Sequence, residues 1–399
     1  MPAIFFIPYL CHKGGAEKWA LEYLKRTKYD YEIHSLIYDE QNTFGEFQDF
    51  EVKSYFDKRW RDRVFSRYYG RIMLSYSLGL AVKVPNLNDY DFMLVSDVGI
   101  GSEVAVRNYI PNRTFMHCHS ILRSAGAWYD LQFVFRYRKK SKYEVVLHKL
   151  MRTGYNMLEK IIYKNYSFAT FHSELVRQRA LEKGLFKPEQ TAVIPSGVEF
   201  SFDEQEPIPE LEGVEFVVYP SRYTDMKRQP ELVMAWKKFK QKCDNELHLV
   251  IVGQPFRRDI FLRTKKLAKG RKDIHILGFQ SRKRLNWLYK NCQAGMFLGY
   301  YEDFGLVPLE ILGAGKTLLG VDSGGYMEYV YNAPSLIVIP ERVDREQFVN
   351  YVAEALVKFY RKRDYYIENA KKNEEFIRKI GLTWDKFAER MDKTIGERL

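Results

Sequence analysis

Cysteine is scarce in this chain: four residues in 399, at positions 11, 118, 243 and 292, with no paired spacing. That scatter excludes a disulfide framework and a cysteine-rich structural zinc site, and it fits a reducing compartment. Long apolar runs are missing as well, none approaching the roughly 18 residues of a spanning helix. The start MPAIFFIPYL lacks the basic flank and long apolar stretch of a secretion signal. A cytoplasmic protein is expected, soluble or peripheral at a membrane face. Glycine (25) and proline (14) are too few for a fibrous or low-complexity chain. What is present is ordinary globular material, 46% hydrophobic and 29% charged, long enough for two to three domains at roughly 150 residues each.

Charge and aromatics are the first positive features. The net charge is +12, and aromatics reach 16% of the chain. Lys53 to Arg71 holds seven basic and two acidic residues, interleaved with Tyr55, Phe56, Trp60, Phe65, Tyr68 and Tyr69. Arg123 to Lys164 holds ten basic and three acidic, with Trp128, Phe133, Phe135, Tyr137 and Tyr143 among them. Basic, aromatic surface suits a phosphate-bearing partner, an anionic membrane or a nucleic acid. Solvated helix faces with apolar undersides explain the same pattern more simply.

Short apolar runs alternate with helical patterns, which predicts an α/β fold with parallel sheets. Strands are expected at 3–10, 31–38, 91–97, 113–120, 168–173 and 191–197. A second series is expected at 215–222, 247–253, 274–279, 294–299, 317–321 and 335–340, with a helix at 308–315. The acidic, proline-containing stretch 200–213 reads as a linker between two Rossmann-like halves. Leu147, Leu150, Met151, Tyr155, Leu158, Ile161 and Ile162 recur at helical spacing, most simply as a core stripe. Two such halves imply a cleft, and ligands bind parallel sheets outside the carboxyl ends of their strands.

Several familiar patterns fail. Residues 313–317 read GAGKT, but a phosphate-cradling loop needs glycine where Glu310 stands, and here the helix precedes the turn instead of following it. VGIGSEV (98–104) has two of the three dinucleotide-loop glycines, with Val104 in the third place. Asp303-Phe304-Gly305 lacks every companion kinase motif. Asp89 and Asp91 precede their strand, away from its ligand-binding end. His117-Cys118-His119 has metal-ligand residue types, but successive strand residues face opposite ways and no further ligand cluster is visible. No metal and no cofactor are expected.

Four segments survive, each just past an expected strand. Gly14-Gly15 opens a helix and allows close backbone approach to a ligand. Arg222 and Lys227 can converge on one diphosphate, the first as a fork and the second as a point charge. In 302–310, Pro308 fits a first helical turn and leaves the amides of 304–307 free for an anion. Glu310 can accept hydroxyl hydrogen bonds, and Glu302 faces the same space. His117-Cys118-His119-Ser120 with Arg123 closes a first-half strand.

Taken together these segments resemble the retaining glycosyltransferases of family 4. The resemblance rests on Gly14-Gly15, HCHS with Arg123, VIPSGVE (193–199), SRYTDMK (221–227), LGFQSRKRLNWLY (277–289) and, above all, EDFGLVPLEILGAGKTLLGVDSGG (302–325) with its two glutamates. It departs from the family pattern at Asp303, Ser196 and Ser221. It implies the GT-B fold, two Rossmann-like parallel-sheet domains facing a central cleft: an acceptor-side domain at 1–200, joined by a helix at 381–399 crossing back, and a nucleotide-sugar-binding domain at 201–380. It implies metal-independent transfer of a sugar from a nucleotide-diphosphate donor to a glycan or lipid-linked acceptor. By position, Arg222 and Lys227 would bind the diphosphate, Phe304, Gly305 and Leu306 its phosphates through amides, and Glu310 the ribose. Glu302 would contact the transferred sugar, His119 the sugar hydroxyls, and Gly15 the phosphate and acceptor. HCHSILR resembles a mannosyltransferase-like subgroup, which favours GDP-mannose. Two alternatives stay open, a basic nucleic-acid-binding α/β protein and a GT-B subunit without catalysis, although no nucleic-acid module is recognisable and no such partner is expected.

Overall fold

The computed structural model describes residues 1–64, 70–97, 99–121, 142–300, 302–342 and 344–399. The described residues divide into two compact units, those of 1–197 with Thr383–Leu399 in one and Val198–Leu382 in the other.

The first unit holds one parallel sheet built from β1 (Pro2–Phe6), β2 (Tyr9–Leu10), β3 (Asp30–Tyr38), β4 (Val52–Phe56), β5 (Phe92–Asp97), β6 (Thr114–Cys118), β7 (Phe168–Phe171) and β8 (Thr191–Val193). Its order is β2-β3-β1-β5-β6-β7-β8, with β4 also paired to β3. Helices cover both faces, so β1 is apolar at every interior position: Ile4 and Phe6 pack on one side, Ala3 and Phe5 on the other. The expected strand 3–10 is broken at Pro8, which has no N–H to give the ladder. Strand β4 was not expected; it lies inside the basic aromatic stretch and pairs in register with β3, Ile33 opposite Val52 and Ile37 opposite Phe56.

The second sheet contains β9 (Phe216–Pro220), β10 (His248–Val252), β11 (Ile274–Gly278), β12 (Ala294–Phe297), β13 (Thr317–Val321) and β14 (Leu336–Ile339), in the order β11-β10-β9-β12-β13-β14. Strand β9 is flanked by β10 and β12, so the connections leave it in opposite directions, and the carboxyl ends of β9 and β12 form a topological switch point. The expected helix at 308–315 begins two residues sooner, as Leu306–Gly313.

Residues 200–213 are packed rather than loose. Phe202, Ile208 and Leu211 are buried in the core of the second unit, beneath Trp287 and Tyr289. The periodic stripe of the helix Lys142–Tyr163 is also corrected in part. Ile162 is buried, but Leu150 and Ile161 are exposed.

The last helix, Trp384–Gly396, packs into the first unit. Asp392 accepts from the Tyr23 hydroxyl and the Thr27 hydroxyl, both at 2.7 Å, and from the Lys28 amide at 2.8 Å. Gly197 admits this helix, since a Cβ there would lie 2.5 Å from the Trp384 nitrogen.

Candidate functional site

In the second unit, three loops at the switch point are stitched together by backbone hydrogen bonds. The Tyr300 amide donates to the Met226 carbonyl at 2.8 Å, joining the loop after β12 to the loop after β9. The Gly325 amide donates to the Glu302 carbonyl at 3.0 Å, joining the loop after β13. The Tyr219 hydroxyl, at the end of β9, donates to the Lys227 carbonyl. Lys227 and Glu302 therefore meet on a braced backbone. Their side chains form an ion pair, both partly buried, and the Lys227 ammonium sits 4.6 Å from the centre of the Phe297 ring.

Next to this pair the chain turns into the helix Leu306–Gly313. Gly305 is its N-cap with φ +91°, in the left-handed region, and no side chain caps the helix start. Phe304 and Gly305 are buried, and Phe304 stands edge-on to Tyr329 at 5.7 Å. Pro308 falls in the first turn and has no N–H, which leaves the amides of 305–307 as the donors at this end.

Arg228 completes the frame, a residue that sequence reasoning passed over. Its side chain is fully buried at a φ of +55°, forms a two-pronged pair with Glu341 at 2.8 and 2.5 Å, and stacks on Phe348 with its guanidinium carbon 4.0 Å from the ring centre. Glu341 also accepts from Ser323 at 3.1 Å. The signal available beforehand was only a second basic residue beside Lys227.

Two expected groups are placed differently from the simplest picture. Arg222 is exposed, with its guanidinium carbon 5.7 Å from the Phe256 ring centre and no side-chain hydrogen bond or ion pair among the described residues. Glu310 already holds two donors, the Arg282 guanidinium and the Tyr289 hydroxyl, each at 2.7 Å. Each carboxylate oxygen keeps further lone-pair capacity for a hydroxyl.

In the first unit, Gly15 is the exposed first residue of the helix Gly15–Leu24, which carries no side-chain cap. His119 follows β6 and is buried. Its Nε2 bonds Ser96 Oγ at 2.8 Å, and its Nδ1 bonds His172 Nε2 at 2.7 Å. His117, on the same face of β6, approaches His172 Nδ1 at 3.2 Å and stacks on Trp19 at 4.1 Å. A further ligand type thus stands beside His117 and His119, contrary to the reading of the HCH segment as isolated. Burial, with the neighbouring imidazoles, pushes the His117 and His119 pKa values well down, and burial brings His172 to about 3. All three are neutral at physiological pH. His172 ends the segment FATFHS, one strand over. Adjacent strands in chain order usually pair, which was the one clue to this meeting. Arg123 lies outside the described residues.

Comparison with known proteins bears on the family and the fold. Residues 201–373, within the second unit, match the family model described as Glycosyl transferases group 1. The uncharacterized glycosyltransferase YqgM of Bacillus subtilis is 25% identical over 161 residues, 40% of this chain and 44% of that protein. The uncharacterized glycosyltransferase MJ1607 of Methanocaldococcus jannaschii is 27% identical over 158 residues, 39% of each. The matched stretch thus spans less than half the length of either relative. Among solved structures, Anabaena Alr3699/HepE in complex with UDP and glucose superposes with a TM-score of 0.69 at 15% identity, covering 99% of both chains. Sucrose-phosphate synthase from Thermosynechococcus elongatus gives 0.70 at 17% identity over 100% of this chain and 99% of that one. At these identities the superpositions speak for the fold: two parallel-sheet α/β domains of the GT-B class.

Proposed function

We propose that this chain is a retaining glycosyltransferase that moves a sugar from a nucleotide-diphosphate donor to a glycan or lipid-linked acceptor. The observation that carries the reading is the Lys227–Glu302 pair, held at the β9/β12 switch point beside the uncapped start of the helix Leu306–Gly313. Breaking the bond between a sugar and a diphosphate leaves negative charge on the departing phosphate and positive charge on the sugar. An ammonium and free helix amides stabilise the former with no metal in the step, because they are fixed before the charge develops. Glu302, beside the ammonium, is placed to contact the sugar being transferred. Arg222, exposed and unengaged, swings onto the diphosphate when the donor arrives. Glu310 takes a ribose hydroxyl while its other contacts, to Arg282 and Tyr289, fix its direction. Retention without an enzyme nucleophile follows from attack on the face the diphosphate leaves, the departing phosphate taking the acceptor proton. The parts given to His119 and Gly15 rest on the family resemblance alone.

GDP-mannose is the favoured donor, on the resemblance of HCHSILR to mannosyltransferases. A uridine donor is the second choice, because Alr3699/HepE is described in complex with UDP and glucose. A panel of nucleotide sugars scored by thermal shift and donor hydrolysis identifies the donor, since a ligand that binds only the folded state raises its melting temperature. Lys227→Ala and Glu302→Ala are each expected to lose a hundredfold or more in transfer, about 3 kcal/mol of barrier, with an unchanged circular dichroism spectrum. Full activity in both variants removes this site from the reaction.

A further inference from the structure

Three histidines at the carboxyl ends of β6 and β7 form the densest group of ligand-type side chains in the first unit among the described residues. The rings of His117, His119 and His172 stand in a near-equilateral triangle, with centres 4.7, 4.5 and 4.7 Å apart. All three are buried, and one nitrogen from each lies within 4.8 Å of the others.

A hydroxyl meets one nitrogen of each ring. His117 Nδ1 meets Thr170 Oγ1, His119 Nε2 meets Ser96 Oγ, and His172 Nδ1 meets Ser196 Oγ, each at 2.8 Å, and His172 Nδ1 also faces His117 Nε2 at 3.2 Å. The Thr170 hydroxyl also reaches the Met116 carbonyl at 3.4 Å and Met391 Sδ at 3.6 Å. With its proton given to either, it accepts from His117 Nδ1–H, which leaves the His117 lone pair on Nε2, facing His172. Outer hydrogen bonds of this kind are what orient metal-bound imidazoles. Trp19 closes one side, stacked on His117 at 4.1 Å and edge-on to His119 at 5.0 Å.

We propose that His117 Nε2, His119 Nδ1 and His172 Nε2 bind one divalent ion of the zinc class. A tetrahedral ion about 2.0–2.1 Å from each nitrogen sets the three nitrogens roughly 3.3 Å apart. His119 Nδ1 and His172 Nε2 are now 2.7 Å apart, closer than that spacing, and His117 Nε2 faces His172 Nδ1 at 3.2 Å, so the rings have to part and turn to admit the ion. The imidazoles are neutral before and after, so binding releases no proton: the hydrogen in the His119–His172 bond moves to an outer nitrogen of its own ring. Imidazole ligands without carboxylate suit zinc, copper or nickel and exclude calcium and magnesium. With three neutral ligands the ion keeps its double charge and one open position, which a water or an anionic oxygen fills. The proposal does not rest on the diphosphate chemistry proposed for the second unit.

The test uses the full chain stripped with chelator, dialysed against Zn²⁺ alone and analysed for bound metal. One zinc per chain is expected, with a raised melting temperature. Co²⁺ in its place is expected to show the visible bands of tetrahedral coordination. His172→Gln and His117→Gln are expected to abolish the stoichiometric zinc. Ser196→Ala, which removes only an outer hydrogen bond, is expected to weaken affinity tenfold to a hundredfold. A wild-type chain that retains no zinc after dialysis overturns the proposal whether or not the variants fold. Equal zinc in wild type and both histidine variants overturns it as well.

Discussion

At the scale of single residues, the second-unit site was half legible. Lys227 and Glu302 stand where strand-end placement put them, because a loop at a strand's carboxyl end can aim its side chains only into the space above the sheet. Arg222 and Arg228 exchange the weight a reader would assign them. The one that the motif names is exposed, and the buried one follows Lys227 directly, where no spacing rule marks it. Its importance comes from Glu341, 113 positions away, a partner that only the fold reveals. Removing one member of a buried pair strands a charge, so Arg228→Leu should cost about 3 kcal/mol or more of stability. Glu341→Leu added to it should restore much of that loss, since the pair then gives way to apolar side chains. Denaturant unfolding of both single variants and the double variant measures the coupling. A double variant no more stable than Arg228→Leu would refute the stranded-charge account.

At the scale of elements, the expected strands agree with the observed ones to within a few residues at most ends, and β13 agrees at both. Parallel strands buried on two faces advertise themselves as apolar runs. The unexpected strand, β4, reads VKSYF with half-exposed residues, and only pairing with β3 makes it one. Residues 200–213 misled for the opposite reason. Their acids face water, while three isolated apolar side chains, too widely spaced to show a period, anchor them to the core. The start of the helix Leu306–Gly313 was legible as a phosphate-type terminus, but the demand it places on Gly305 was not. A Cβ at that position would lie 3.0 Å from Tyr326 and 3.3 Å from Glu302, on a backbone already at φ +91°. Gly305→Ala therefore strains the turn by about 1–3 kcal/mol and pushes on the very carboxylate that pairs with Lys227. Calorimetric titration with the nucleoside diphosphate should show affinity reduced roughly tenfold or more, a loss of about 1.4 kcal/mol. Unchanged affinity together with unchanged melting temperature would mean that the turn adapts freely and does not fix the site.

At the scale of the whole molecule, charge and one uncovered helix face point to a surface of opposite sign. No described helix is long and apolar enough to cross a membrane. In the helix Lys142–Tyr163, Tyr143, Val146, Leu150, Met157 and Ile161 are all exposed, and at 100° per residue they share roughly 60° of arc. Lys160 and Lys164, also exposed, flank the same end. An apolar stripe bordered by lysines on a chain of net charge +12 is the pattern of a helix that lies in the headgroup layer of an anionic bilayer. Such attraction contributes about 1 kcal/mol per basic residue near the surface and fades within a screening length as salt rises. The full chain should sediment with vesicles of mixed anionic and zwitterionic lipid at low salt and be released at high salt, and it should ignore purely zwitterionic vesicles. Leu150→Asp with Ile161→Asp, both at exposed positions, should abolish sedimentation while leaving the melting temperature and donor hydrolysis unchanged. Retention of that variant would acquit the stripe and leave charge alone responsible, whereas a wild-type chain that stays in the supernatant at low salt would show that this face serves no bilayer.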